Sequence, residues 1–515
     1  MRFGNEINLH HPYYGRMNEE NLRLILGLKL RQYRQKKDFS LKELSTKTGV
    51  SVSYLNEIEK GKKYPKGDKI IALAKALDVD YDELVSLKLD ANLAQLGDFL
   101  STNMLQKLPL DVFGIDSTDL MSLMADTPDK FGALISTLLE FARMYDVKLE
   151  QFFFTVMRSY LEKHHNYFDD LENEAQKLSA KFFDNEDGLP EMSEIQRVLK
   201  EEFSYSIDFK TIAESEELSR YRTVYLPEHK TLLVNSGLTS DQQRFALAKE
   251  LGYAWLDIEH RALTSSWLEV TSFEHVFNNF QASYVGGALL MPKDEMLADI
   301  RALFNRKVWE PDALQQMLDK YQATPEMMFY RWTELLPTFM GLKQIYFLRF
   351  FNDDEEERYH LTKEMHFSRL HSPHGLEFNE HYCRRWITLK ALMQMKDQKS
   401  DPPDPNEVFI GAQRSKFWNT DNEYLNLSLS RSLSLKPETN SCVTIGFALN
   451  KETKSAIKFW NDAAVSVREV GETCERCGIE NCDVRAIRPK IHEREQKFEE
   501  SKRALVELRE KYEEG

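Results

Sequence analysis

The stretch Ser40 to Pro65, SLKELSTKTGVSVSYLNEIEKGKKYP, leaves little choice in how it folds. Ser40 followed three residues later by Glu43 forms a capping box, in which each side chain satisfies a backbone donor that a helix start otherwise orphans. A helix is therefore expected from Leu41, with Leu44 on its core side. Gly49 supplies a turn, and Ser51 can cap a second helix whose apolar residues Leu55 and Ile58 share one face. Two short helices around a glycine turn have the geometry of a helix-turn-helix. The face left over carries Ser51, Ser53, Tyr54 and Asn56 near the second helix start, where a recognition helix presents side chains to base edges in the major groove. Lys60, Lys62, Lys63 and Lys66 follow, placed for phosphates.

Charge agrees with this reading independently. Residues 21–70 hold thirteen Lys and Arg against five Asp and Glu, a local balance of +8, while the whole chain carries −15. Such asymmetry confines a nucleic-acid face to one module. With Gly27, Arg34, Ser40, Leu44, Gly49, Leu55, Ile58, Glu59, Gly61, Pro65, Leu73 and Leu77 in place, segment 24–87 resembles the Xre and lambda-repressor-like family. That resemblance implies an all-α domain of five helices over 21–87 that binds double-stranded DNA.

At 515 residues the chain exceeds what a single core serves, so several domains are expected. Residues 88–185 place apolar side chains at helical spacing and read as a helical connector, closed by the turn-rich Asn185–Pro190. Residues 191–335 combine short strand-like runs, Thr223–Leu226 and Leu232–Asn235, with longer helical patterns. From 340 to 490 the runs QIYFLRF, EVFIGA, YLNLSLSRSL and CVTIGFAL alternate as in an antiparallel sheet, with Asp401–Pro405 as a loop. Residues 491–515 form a charged helical tail in which Ile491, Phe498, Leu505 and Tyr512 recur every seven residues, a dimer seam or a helix packed on its own domain. The whole is a multidomain α+β chain. No apolar run could span a bilayer and the amino terminus lacks a signal-peptide pattern, so a cytoplasmic protein without a membrane partner is expected.

Arg244–Leu256, RFALAKELGYAWL, has the outline of a zinc-protease helix, in which two histidines four residues apart grip the metal and a glutamate beside the first acts as general base. Glu250 is present, but Lys249 and Tyr253 stand at both histidine positions. Downstream, Gln281-Ala282 and Leu289-Leu290-Met291-Pro292 resemble the ImmA/IrrE metallopeptidase family, whose third ligand precedes the Gln-Ala pair; here that position is Asn279. The resemblance implies a zincin-like α+β pseudo-peptidase domain, its ligand positions Lys249, Tyr253 and Asn279 degenerate and no catalysis retained. The competing reading is a peptidase that uses Glu250 with an unconventional metal set.

Cys474, Cys477 and Cys482 bring three thiols within reach of one centre, one ligand short of a tetrahedral zinc site. Cys442 is the first candidate to complete it, with Cys383 and His492 as others. A redox-responsive thiol site and plain buried cysteines are the alternatives. The order Cys383-x-x-Trp386, Cys442, Gly471-x-x-Cys474-x-x-Cys477 and Cys482-x-x-Arg485-Ala486-x-x-Pro489 resembles the carboxy-terminal region of the short-chain fatty acyl transcriptional regulators. That family implies a DNA-binding regulator, not an enzyme, that senses an acyl-CoA-type metabolite. A homodimer is expected because helix-turn-helix readers gain register from two half-sites. An antitoxin-type or phage-type autoregulator is the alternative.

Overall fold

A computed structural model describes residues 19–86, 128–144, 149–183, 188–264, 270, 272–353, 358–367, 380–397 and 407–513. The chain forms two compact units: one runs to Val156 and takes in Thr271–Phe273, and the other comprises Met157–Val270 and Glu274–Gly515.

The first unit opens with α1 (Glu19–Lys36), α2 (Leu41–Thr48), α3 (Val52–Glu59), α4 (Gly67–Leu77) and α5 (Tyr81–Val85), the expected five helices. The capping box forms as the residues dictate, with the Glu43 amide donating to Ser40 Oγ at 3.2 Å and the Ser40 amide donating to Glu43 at 2.7 Å. Gly49 ends α2 in the left-handed region, at φ 67°, where a residue with a Cβ is strained. Leu26, Leu30, Leu44, Val50, Leu55, Ile58, Ile70, Leu73, Leu77 and Leu84 make the core. Arg34 of α1 fastens α3 through a two-pronged bond to Glu59, at 2.6 and 2.8 Å, and also donates to Phe39 O at 2.8 Å.

Of the expected connector, residues 88–127, 145–148 and 184–185 lie outside the described residues. Its described residues hold α6 (Pro128–Met144), α7 (Leu149–Lys163) and α8 (Asp169–Phe182).

The second unit continues through α9 (Met192–Glu201) into a small sheet of β1 (Ser206–Asp208), β2 (Thr223–Leu226) and β3 (Thr231–Val234), in order β1-β3-β2. A short helical turn, α10 (Thr211–Glu214), lies between β1 and β2. Strands β2 and β3 form an antiparallel hairpin, while β1 lies parallel to β3. Helices α11 (Ser240–Trp255), α12 (Phe273–Leu290), α13 (Lys293–Phe304), α14 (Pro311–Tyr321) and α15 (Pro325–Phe339) follow. A six-stranded sheet then forms from β4 (Ile345–Asp353), β5 (Arg358–His366), β6 (Phe409–Phe417), β7 (Glu423–Leu433), β8 (Lys436–Ala448) and β9 (Ser466–Val470), with α16 (Ile387–Asp397) between β5 and β6 and α17 (Lys451–Ala456) between β8 and β9. Its order is β5-β4-β8-β7-β6-β9, antiparallel throughout except for β9 alongside β6. The loop expected at Asp401–Pro405 lies outside the described residues.

Both faces of this sheet are covered, which explains the long apolar-and-small alternation of β7 and β8. On one face Leu348, Phe350 and Cys442 meet Leu389 and Leu392 of α16. On the other, Phe447 packs edge-on against Phe304 of α13 at 5.8 Å, and Phe304 against Trp332 of α15 at 5.7 Å. The sequence expectation of separate domains over 191–335 and 340–490 therefore meets a single compact unit, because the helices of the first half close one face of the sheet built by the second. The chain ends in α18 (Lys490–Glu513). Among the described residues no helix is long and apolar enough to cross a membrane.

Candidate nucleic-acid interface and pseudo-peptidase centre

On the first unit, α3 presents Ser51, Ser53 and Asn56 to solvent, with Lys62, Lys63 and Lys66 exposed beyond its end. The expected base-reading face thus exists as a surface. Two expected residues also have structural duties: Ser51 Oγ caps α3 by accepting from the Tyr54 amide at 3.2 Å, and the Tyr54 ring packs against the helical core. Lys60 is the half-buried C-cap of α3. Val52 and Tyr64, which sequence reasoning did not single out, are 42% and 43% exposed.

In the second unit, α11 and α12 approach backbone to backbone. A Cβ on Gly252 would lie 2.6 Å from Ala282 O, and one on Gly286 would lie 2.8 Å from the Lys249 amide nitrogen, so glycine at both sites permits the contact. That approach brings the three degenerate ligand positions together. Lys249 Nζ donates to Asn279 Oδ1 at 2.5 Å, and the Tyr253 hydroxyl donates to the same oxygen at 3.3 Å. A hydrogen-bonded cluster of lysine, tyrosine and asparagine joins the three positions.

Glu250, the candidate general base, is buried and gives both carboxylate oxygens to Arg261, at 2.5 and 2.6 Å. Arg261 in turn lies over the Tyr253 and Tyr225 rings, with its guanidinium carbon 3.7 and 4.3 Å from their centroids. A base must be free to reach a proton, and this one is fully engaged. Burial, reinforced by the charge of Arg261, pushes Lys249 down to about 7.

The cysteines divide differently from the sequence expectation. Segment 380–383 pairs with 472–474: the Cys383 amide donates to Glu472 O at 3.0 Å and the Cys474 amide to His381 O at 2.8 Å. This long-range pairing places Cys383 beside Cys474 and Cys477, close enough for their charges to act on its thiol. Cys442, the first candidate for a fourth ligand, lies instead on β8, buried against Ser430 and Thr444. It occupies a ladder position there because its strand is central to the sheet. The Gly471 amide donates to Cys383 Sγ and the Ala486 amide to Cys474 Sγ, each at 3.4 Å, the kind of donor a thiolate takes. Burial pushes the Cys383 thiol up to about 12. Cys482 is partly exposed, and His492 stacks edge-on against Trp418 at 5.1 Å. Among the described residues no group of three His, Cys, Asp or Glu side chains is arranged to hold a metal ion.

Residues 30–84 match the helix-turn-helix family profile, and residues 205–333 match that of the IrrE N-terminal-like domain. The chain carries a helix-turn-helix domain and an IrrE-like domain. The first match covers the reader built from α2 and α3, and the second spans the small sheet together with Lys249, Tyr253 and Asn279. Among solved structures, the chain is similar to a Mycobacterium tuberculosis transcriptional regulator at 16% identity and a TM-score of 0.43, over 64% of this chain and 92% of that one. No curated protein matches.

Proposed function

We propose that this protein is a sequence-specific transcriptional regulator that docks its helix-turn-helix unit on an operator and alters that docking when the second unit binds a small metabolite, such as a short-chain acyl-CoA. The observation that carries the reading is the face of α3, where Ser53 and Asn56 are exposed beside Lys62 and Lys63 in a segment, residues 21–70, whose balance of +8 opposes the −15 of the chain. The IrrE-like domain supports a binding role over a catalytic one, since Arg261 occupies both oxygens of Glu250. In this reading the protein is a cytoplasmic homodimer. Phe498, Leu505 and Tyr512 of α18 are 60%, 60% and 79% exposed at a seven-residue spacing, an apolar stripe that a second copy would cover.

Mapping the DNA bound by the protein across its genome tests this reading, and a compact set of sites sharing one inverted-repeat sequence is the expected result. Binding spread evenly with local charge would contradict it. Lys62→Ala is expected to weaken binding to every duplex alike and to reduce the slope of log affinity against log salt by about 1, as loss of one phosphate contact requires.

The cysteine segment enters the reading as a thiolate site for zinc or a similar soft metal, held by Cys474, Cys477 and Cys482 with Cys383 as the neighbouring sulfur. The amide N–H groups aimed at Cys383 and Cys474 are the donors such sulfurs take. Metal analysis of purified protein should give about one ion per chain, lost in a Cys474→Ser, Cys477→Ser double variant. Metal-free protein whose stability is indifferent to chelators would contradict the site.

A further inference from the structure

The small sheet ends on one side at β2, in the order β1-β3-β2, and an edge strand offers its outward N–H and C=O groups to any extended chain. Here the protein fills that edge with its own backbone. After α11 the chain reverses at Asp257, in the left-handed region at φ 53°, and segment 258–264 returns beside β2. Val224 and Thr264 form an isolated antiparallel bridge, and the Tyr225 amide donates to Leu263 O at 2.7 Å. From the other side, the Asn278 side-chain amide of α12 donates to His260 O at 2.7 Å.

One side chain anchors the segment. Arg261 enters the pseudo-peptidase centre, its fork closed on both oxygens of Glu250 and its guanidinium lying over the rings of Tyr253 and Tyr225. Apolar burial adds little, since Leu263 is 52% exposed and Asp257, Glu259 and His260 are exposed as well. The fit is also incomplete. Arg261 Nε is buried with no hydrogen-bond partner among the described residues, a loss that a chain seated with every donor paired would recover. The socket itself does not belong to the segment: Glu250 and Tyr253 lie on α11, and Tyr225 lies on β2, stacked on Tyr205 at 5.7 Å. When the segment leaves, a buried carboxylate between aromatic walls stays behind. Such a carboxylate is costly without a counter-charge, so the chain that displaces Arg261 has to supply another guanidinium.

We propose that the outer edge of β2, together with Glu250, Tyr225 and Tyr253, is a receptor for an extended, arginine-bearing peptide of a partner protein, and that segment 258–264 occupies it as an internal stand-in. The incoming strand pairs antiparallel with β2 through its backbone, and its arginine takes the place of Arg261 on Glu250. Lysine suits the socket poorly, because a compact ammonium neither forks onto both oxygens nor lies flat against two rings. No covalent bond is made or broken in the exchange, and Glu250 is engaged before and after it. The proposal stands beside the metabolite reading and does not depend on it.

The probe is a fluorescently labelled peptide with the sequence of the segment itself, IEHRALT, titrated into the full-length protein and followed by anisotropy. In the parent chain the tethered segment competes at high effective concentration, so Arg261→Ala is expected to bind the peptide saturably and at least about tenfold more tightly than the parent. Replacing the peptide's arginine by alanine or lysine should weaken binding by about tenfold or more, and adding Glu250→Gln to the Arg261→Ala chain should remove it. Hydrogen exchange locates the site: the Tyr225 amide should lose protection in Arg261→Ala and regain it with saturating peptide. Should Arg261→Ala fail to fold, Arg261→Lys keeps a charge beside Glu250 and carries the same comparisons. A folded variant that ignores the peptide, that binds the arginine and alanine peptides alike, or whose Tyr225 amide exchanges equally with and without peptide would overturn the receptor and leave the segment a fixed part of the sheet.

Discussion

Arg331→Met is expected to cost the second unit about 3–5 kcal/mol, the cost of stranding buried carboxylates without their counter-charge. Arg331 is 1% exposed on α15 and holds Glu172 of α8 at 2.5 Å, Glu334 at 2.8 Å and Met291 O at 3.1 Å. Tyr284 of α12 donates to the same Glu172 at 3.0 Å, so three helices meet at one guanidinium. One cation cannot balance two buried acids, and burial pushes Glu334 up to about 8. Glu334→Gln should therefore be close to neutral at pH 7. The sign of the pH dependence follows. Glu334 binds its proton more tightly folded than unfolded, so its contribution is fully present below the ordinary carboxylate value and is lost as pH rises through about 8. Thermal unfolding followed between pH 5 and 9 should show that decline in the parent and its absence in Glu334→Gln. A mild effect of Arg331→Met, under about 1 kcal/mol, would contradict the network.

Glu59→Ala is expected to destabilise the first unit by about 3 kcal/mol and, at growth temperature, to abolish DNA binding without touching the reading face. Glu59 is 5% exposed at the end of α3 and, among the described residues, is the sole acid bonded to Arg34, whose third nitrogen donates to Phe39 O. Removing Glu59 leaves a guanidinium, itself largely covered, between α1 and the loop before α2. Because α3 carries Ser53 and Asn56, loosening its far end displaces the reader. Denaturant unfolding checks the stability, and operator affinity measured well below the melting point checks the cause. Affinity that recovers on cooling identifies lost stability, and a permanent loss identifies Glu59 with the interface itself.

The helix-turn-helix was legible because its signals are local. A capping box, a glycine in a left-handed turn and apolar residues three apart fix α2 and α3 within a few residues of chain. Strands β4, β6, β7 and β8 were legible for a related reason, since central strands buried on both faces need a long run of apolar and small residues. The strands that escaped notice were β1, β5 and β9. The first has three residues, and the other two are the edge strands of the large sheet, where sequences such as RYHLTKEMH and SVREV carry polar side chains toward solvent. Lys249, Tyr253 and Asn279 could be named from the family outline. Arg261 could not, since no motif spacing ties it to Glu250 and only the return of its segment along β2 joins the two. Cys383 could be named from the sequence only as one of three candidate neighbours of Cys474, because pairing of residues 380–383 with 472–474 crosses about ninety positions of chain.

The central claim is that α3 reads DNA sequence. It is tested most directly by measuring the affinity of Asn56→Ala, beside the parent chain, for a mapped operator and for an unrelated duplex of equal length at one salt concentration. The account predicts that the variant loses about 1–3 kcal/mol on the operator and little on the unrelated duplex, because a base-edge contact is lost while the phosphate contacts of Lys62 and Lys63 remain. Equal losses on both duplexes, or none on either, would contradict it.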